Sequence, residues 1–210
     1  MAQPDMNIIV HNAVRRDLAR MEAALRSFPE GDADRARQLH RAWAELWEHL
    51  HHHHQGEDEI VWPWARTTGA VDAWVIDAME SEHQAMSAAM EAATSAVAAL
   101  VAEPTGAAAA SAADRVAAAR EVTEAHLRHE ERDVVPLLLP LLGTPAGKAV
   151  EKQLQKDPLS YSGRFLAWVQ DGADAQTLAD LRAAVPPPVL LVLSKGFGRA
   201  YHREVAPVWR

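Results

Sequence analysis

Cysteine is absent from the 210-residue chain, which excludes disulfides, thiolate-bound zinc and iron–sulfur clusters. Any metal must therefore be held by nitrogen and oxygen. A basic excess is also missing: 21 Lys and Arg stand against 29 Asp and Glu, a formal net charge of −8 with His neutral. A nucleic-acid binder would show a basic face, and docking on an anionic membrane needs one too, so neither partner is expected. Long apolar runs are lacking. The run over residues 189–193 falls far short of the roughly 20 residues that span a bilayer. The opening MAQPDMNIIVHNAVRRDLAR has no basic segment followed by a long apolar stretch, so no signal peptide is expected and the protein is read as cytoplasmic. Alternating strand patterns and β-branched runs are scarce.

What is present is a helical composition, 49% apolar and rich in Ala, Leu, Glu and Arg. Apolar spacing by threes and fours predicts four long helices, over about residues 7–27, 34–63, 71–102 and 107–142, the last with an irregularity near Pro136. Short loops rich in Gly and Pro separate them. The expected fold is all-α: an up-down-up-down antiparallel four-helix bundle over residues 1–145. Residues 146–210 are expected to form a helical C-terminal extension packed on it as a cap, in pieces near 146–155, 163–170, 174–184 and 189–202. Oligomeric state is left open.

Eleven histidines are unusual in such a chain, and several sit where apolar residues belong. The first helix's seam begins at His11 and continues Val14, Leu18, Met21, Leu25. The second passes through Trp43, Leu46, Leu50, His53 and Glu57. The third carries His83 between Met79 and Met86. The fourth carries His126 and Glu130. Seam positions face the other helices, and unpaired buried polar groups are costly. Six ionisable side chains converging from four helices call for a shared partner, which a metal cluster supplies. A spacing of four puts His and Glu one turn apart on one face. It occurs twice, as His53–Glu57 and His126–Glu130, each followed by a Val and a Pro at matching offsets (Val61, Pro63; Val134, Pro136). The short repeat suggests a pseudo-symmetric site with two carboxylates placed to bridge.

These residues, His11, H53-x3-E57, His83 and H126-x3-E130, make residues 7–142 resemble the hemerythrin-like, or HHE cation-binding, family. The resemblance implies a non-haem di-iron centre bridged by two carboxylates and an oxo or hydroxo group. His11 and His53 would hold one iron, His83 and His126 the other, with Glu57 and Glu130 bridging. Manganese or zinc is a lesser expectation, since the spacing does not choose the metal. The family includes oxygen carriers, sensors of oxygen, nitric oxide and redox state, iron regulators and peroxide-decomposing proteins. Expected ligands are therefore O2, peroxide or NO. One departure is visible: oxygen carriers draw two histidines from the third helix at a spacing of four, where this chain has Met79 and Ser87 around His83. That leaves a coordination position for water or substrate, or for Glu80 as a further ligand. An open position suits reaction more than reversible carriage.

Other residues have blander readings. Of the run His51–His54, only His53 lies on the seam; His51, His52 and His54 are expected in solvent or hydrogen-bonded behind the site. His49 is a candidate for the site's edge, and His129 for an exposed or hydrogen-bonding position. Asp58 and Glu131 are expected to face solvent or to orient a histidine. Trp43, Met79, Met86 and Met90 fill core. Ion pairs without metal would be the purely structural alternative, although buried pairs often only break even. Three functions remain open: reaction with small oxidants in defence or sensing, oxidation of a small organic or nitrogenous substrate, and non-redox metal binding or storage. A ferritin-like pattern is rejected, because Glu48 and His51 lie off the seam and His126–Glu130 has the reverse order. Tyr161 and Tyr201 lie outside the expected bundle.

Overall fold

The computed structural model describes residues 5–210 and is helical throughout, with no strand among the described residues. Helix α1 (Met6–Arg26) starts at Asp5, whose carboxylate accepts the Asn7 backbone N–H at 3.0 Å. Asp32 caps α2 (Ala33–Gly56) in the same way through Arg35 N at 2.8 Å. Such caps satisfy amides that the first turn leaves free. A π-helical turn, Glu57–Val61, joins α2 to α3 (Trp62–Thr68). Gly69 ends α3 in the left-handed region at φ 65°, where a side chain is disfavoured. Helices α4 (Ala73–Ala102) and α5 (Gly106–Asp133) follow, then α6 (Val135–Leu142) after a break at Val134. Pro136, which has no amide hydrogen to give, stands in the first turn of α6. The expected second helix is thus interrupted by the π turn, and the expected fourth is broken close to Pro136.

Helices α1 and α4 each pack against both α2 and α5. At one end, Gly31 N donates to Pro104 O at 2.8 Å and Gly106 N to Glu30 Oε2 at 2.6 Å, so the α1–α2 and α4–α5 loops meet. The seam residues Val14, Leu18, Met21, Leu25, Leu46, Leu50, Met86, Met90, Val97 and Val116 are all buried in one core cluster. A second, smaller cluster gathers Trp62, Ala65, Val71, Val75, Ile76, Met79, Val134 and Leu138 at the opposite end. Among the described residues one helix, α4, is long and apolar enough to cross a bilayer by length and composition. Its buried face meets α2 and α5.

The remaining chain forms α7 (Pro145–Leu154), α8 (Leu159–Gln170), α9 (Ala175–Ala184), α10 (Pro187–Leu191), a second π turn (Val192–Phe197), α11 (Arg199–Glu204) and a 3-10 turn (Ala206–Trp209). Helix α8 starts a turn earlier than the sequence predicts, and the expected last helix is broken in two. Gly163 and Gly198 allow the close crossing there: a Cβ on Gly163 would meet Phe197 Cβ at 2.4 Å. Against α1, buried Asp17 accepts from Trp168 Nε1 at 2.8 Å and from Arg16 Nε at 2.7 Å. Against α2, Arg164 pairs with buried Glu45, and Glu45 accepts from His49 Nε2 at 3.1 Å. Leu166, Trp168 and Tyr201 belong to the same core cluster as the long helices.

Candidate metal centre

Between the two apolar clusters lies a polar layer built from α1, α2, the π turn, α4 and α5. His11 is in the second turn of α1. His53 and His54 close α2, and Glu57 opens the π turn, where its amide donates to both His53 O and His54 O. His83 comes from α4, and His126 and Glu130 from α5. Except for His53, which is slightly more open, all are buried.

The donors fall into two groups. One holds His11, His53, Glu57 and Glu130; the other holds His54, Glu57, His83 and His126. Within each, the donor atoms lie within 4.8 Å of one another, and Glu57 belongs to both. His11 Nε2 is 3.3 Å from His53 Nε2 and 3.2 Å from Glu130 Oε2. His83 Nε2 is 3.2 Å from His126 Nε2 and 3.5 Å from Glu57 Oε2.

Three of the imidazoles are fixed from behind. His11 Nδ1 meets Glu131 at 2.8 Å, His83 Nδ1 meets Asp58 at 2.7 Å and His126 Nδ1 meets Glu82 at 3.0 Å. A carboxylate that accepts a hydrogen bond from Nδ1–H keeps the proton on that nitrogen and leaves the Nε2 lone pair free, the arrangement that histidine ligands of metals use. Asn7 Nδ2 donates to Glu130 Oε1 at 2.6 Å and steadies that carboxylate. His54 Nε2, Glu57 Oε2 and Glu130 Oε2 are buried without a hydrogen bond. The Nε2 atoms of His11 and His53, and of His83 and His126, face each other at 3.2–3.3 Å, where two lone pairs would repel unless a proton or cation lay between them. A cation in each group answers both problems, so the residues fit a pair of metal ions.

Titration follows the same logic. Burial, with His11 nearby, pushes His53 down to about 3, and burial also lowers His54 and His126. Burial would lower His11 as well, but the facing carboxylates of Glu130 and Glu131 outweigh it and raise His11 to about 9. Burial raises Glu57, and the neighbouring Glu130 adds to that. For Glu130, burial is outweighed by His11 and it is held low.

A family model, the hemerythrin HHE cation-binding domain, matches residues 9–138. The chain belongs to the hemerythrin HHE cation-binding family. Comparison with curated proteins and with solved structures gave no match. The matched range includes every side chain of the two groups above.

The structure brings the six expected residues His11, His53, Glu57, His83, His126 and Glu130 together. It corrects the expectation for His54, which is buried in the second group and stacks on His83 at 4.3 Å. Neighbouring helix positions point about 100° apart, so His53 and His54 straddle the seam and serve different groups. Glu80 is not in the layer; it is half-exposed and pairs with Arg66 at 3.1 Å. His49 is buried but bonds to Glu45 and Tyr161 rather than to the donors. His51 is exposed, and His52 reaches Asp157 at 3.0 Å. Glu82, which no seam or motif marks in the sequence, holds both His126 and His129.

Proposed function

We propose that this HHE-family protein binds two metal ions, iron in its working state, and uses them to bind and react with O2 or related small oxidants such as peroxide or NO, in redox defence or sensing. The observation that carries the reading is the pair of donor groups joined at Glu57. The group containing His11 and His53 would hold one ion, the group containing His54, His83 and His126 the other, with Glu57 between them and Glu130 beside the first. Nitrogen and carboxylate donors also suit manganese or zinc; iron rests on family membership.

When bound, an iron pair supplies electrons to O2 or peroxide. The chain's own residues do the rest. Asp58, Glu82 and Glu131 hold three imidazoles with Nε2 facing inward. The two apolar clusters on either side exclude water, which strengthens electrostatic interactions within the layer. His11 and Glu57, both raised in the metal-free protein, hold protons that metal binding displaces. Side chains close over the donors, which suits a ligand of few atoms.

The same proposal includes the topology. The four long helices form an up-down-up-down antiparallel bundle: their loops meet at one end, and His11 near the start of α1 meets His53 near the end of α2. It takes residues 1–145 as the metal-binding unit and 146–210 as an extension packed on it, in a cytoplasmic protein. The test is anaerobic loading with ferrous iron, followed by optical spectra before and after O2 and then peroxide. New charge-transfer bands or oxidant consumption support the reading. Iron that binds but responds to no oxidant would reduce it to metal binding or storage.

A further inference from the structure

One more polar group lies unpaired inside the helices. Thr123 is 1% exposed, and its Oγ1 is buried with no hydrogen-bond partner. A threonine within a helix commonly bonds the carbonyl one turn back, and buried hydroxyls rarely go unmet. Thr123 makes no such bond, and its hydroxyl is unmet.

Its register shows what it faces. Val14 follows His11 by three residues on α1, and Met86 follows His83 by three on α4. Leu50 precedes His53 by three on α2, and Thr123 precedes His126 by three on α5. Helices α1 and α4 run toward the joined loops, whereas α2 and α5 run away from them. All four residues therefore lie one turn from the donors, on the same side. Val14, Leu50 and Met86 are each 0% exposed. Thr123 is the polar member of an otherwise apolar layer covering the donor groups.

We propose that Thr123 Oγ1 donates a hydrogen bond to a small anionic or oxygen-containing ligand of two or three heavy atoms bound at the metal pair, and so selects which ligands the site retains. The inference rests on the metal-binding reading above. A lone donor in a dry, apolar layer discriminates between ligands that accept a hydrogen bond and those that do not, because an unmet donor there is costly.

The experiment titrates the ferric iron-loaded full chain with azide, followed by optical absorption, in wild type, Thr123→Val and Thr123→Ser. Iron is counted in each. Valine keeps the shape and removes the donor; serine keeps the donor. The expected result is equal iron in all three, azide bound about tenfold more weakly by Thr123→Val, as for loss of one charge-assisted hydrogen bond, and near wild-type binding by Thr123→Ser. The metal-free Thr123→Val protein should melt no lower than wild type, since it loses only an unpaired hydroxyl. Thr123→Ala serves as a second variant should valine not fold, with the same weakening expected. Azide bound equally tightly by an iron-loaded variant lacking the hydroxyl overturns the inference and leaves the metal-binding reading standing. Loss of iron from Thr123→Val overturns it as well, by making the residue structural to the donor layer. Failure of wild type to hold iron defeats the underlying reading instead.

Discussion

His54 has a buried ring nitrogen without a partner, and Asp58 anchors His83 from behind; the two residues make different predictions. His54→Ala removes a donor from one group only. Bound metal should fall from two toward one per chain, whereas His51→Ala, at an exposed position, should change nothing. Asp58→Asn keeps every donor but weakens the orientation of His83, and metal affinity should drop roughly 10–100-fold, measured by competition with a chelator. Protonation adds a third. His11 is raised from 6.5 to about 9 in the metal-free protein. Its contribution to stability is therefore full below 6.5 and is lost as pH rises through 9. The metal-free protein should lose up to roughly 3 kcal/mol of unfolding free energy over that window, read from denaturant midpoints. Residues such as His53, Glu57 and His126 were legible because an ionisable side chain on an apolar seam is conspicuous. His54 was not, because a seam reading admits one inward position per turn while the polar layer is wide enough to take neighbouring positions. Glu80 has a ligand-like spacing from His83, yet Arg66 on α3 draws it outward, and Glu82, adjacent to His83, is the carboxylate that reaches across to His126.

The π turn at Glu57–Val61 is the element that most affects the site. It carries Glu57 and Asp58 into the donor layer and also sets Trp62 into the second apolar cluster. Such turns frequently mark functional sites. Nothing in the local sequence announced it, since helical spacing continues through Glu57 and Ile60. The break near Pro136 was legible because proline removes a backbone donor. In the later elements, the crossing of α8 with Val192–Phe197 depends on Gly163, where a Cβ would also lie 2.7 Å from the Phe197 backbone carbon. Gly163→Ala should therefore push the two apart and cost about 1–3 kcal/mol, seen as a lower melting temperature, with metal stoichiometry unchanged. The register of these short helices was only partly legible, because their amphipathic faces are brief and tertiary packing decides where they start.

Across the whole molecule, the donor layer separates two apolar clusters, and the core cluster that includes the later helices adjoins it. Helical class and the convergence of α1, α2, α4 and α5 followed from apolar periodicity. The docking of the last sixty-odd residues did not, because it depends on single buried pairs such as Trp168 with Asp17. Metal that binds only the folded chain must stabilise it, by about 2.7 kcal/mol per site at a hundredfold excess over Kd, so melting should shift upward on loading. The most direct measurement is an anaerobic titration of metal-free protein with ferrous iron, counting ions retained per chain in wild type and in Glu57→Ala. Two ions per wild-type chain, with both weakened by the single Glu57→Ala substitution, is the predicted result. One ion or none in wild type, or two retained undiminished without Glu57, would contradict a centre in which that carboxylate joins two metals.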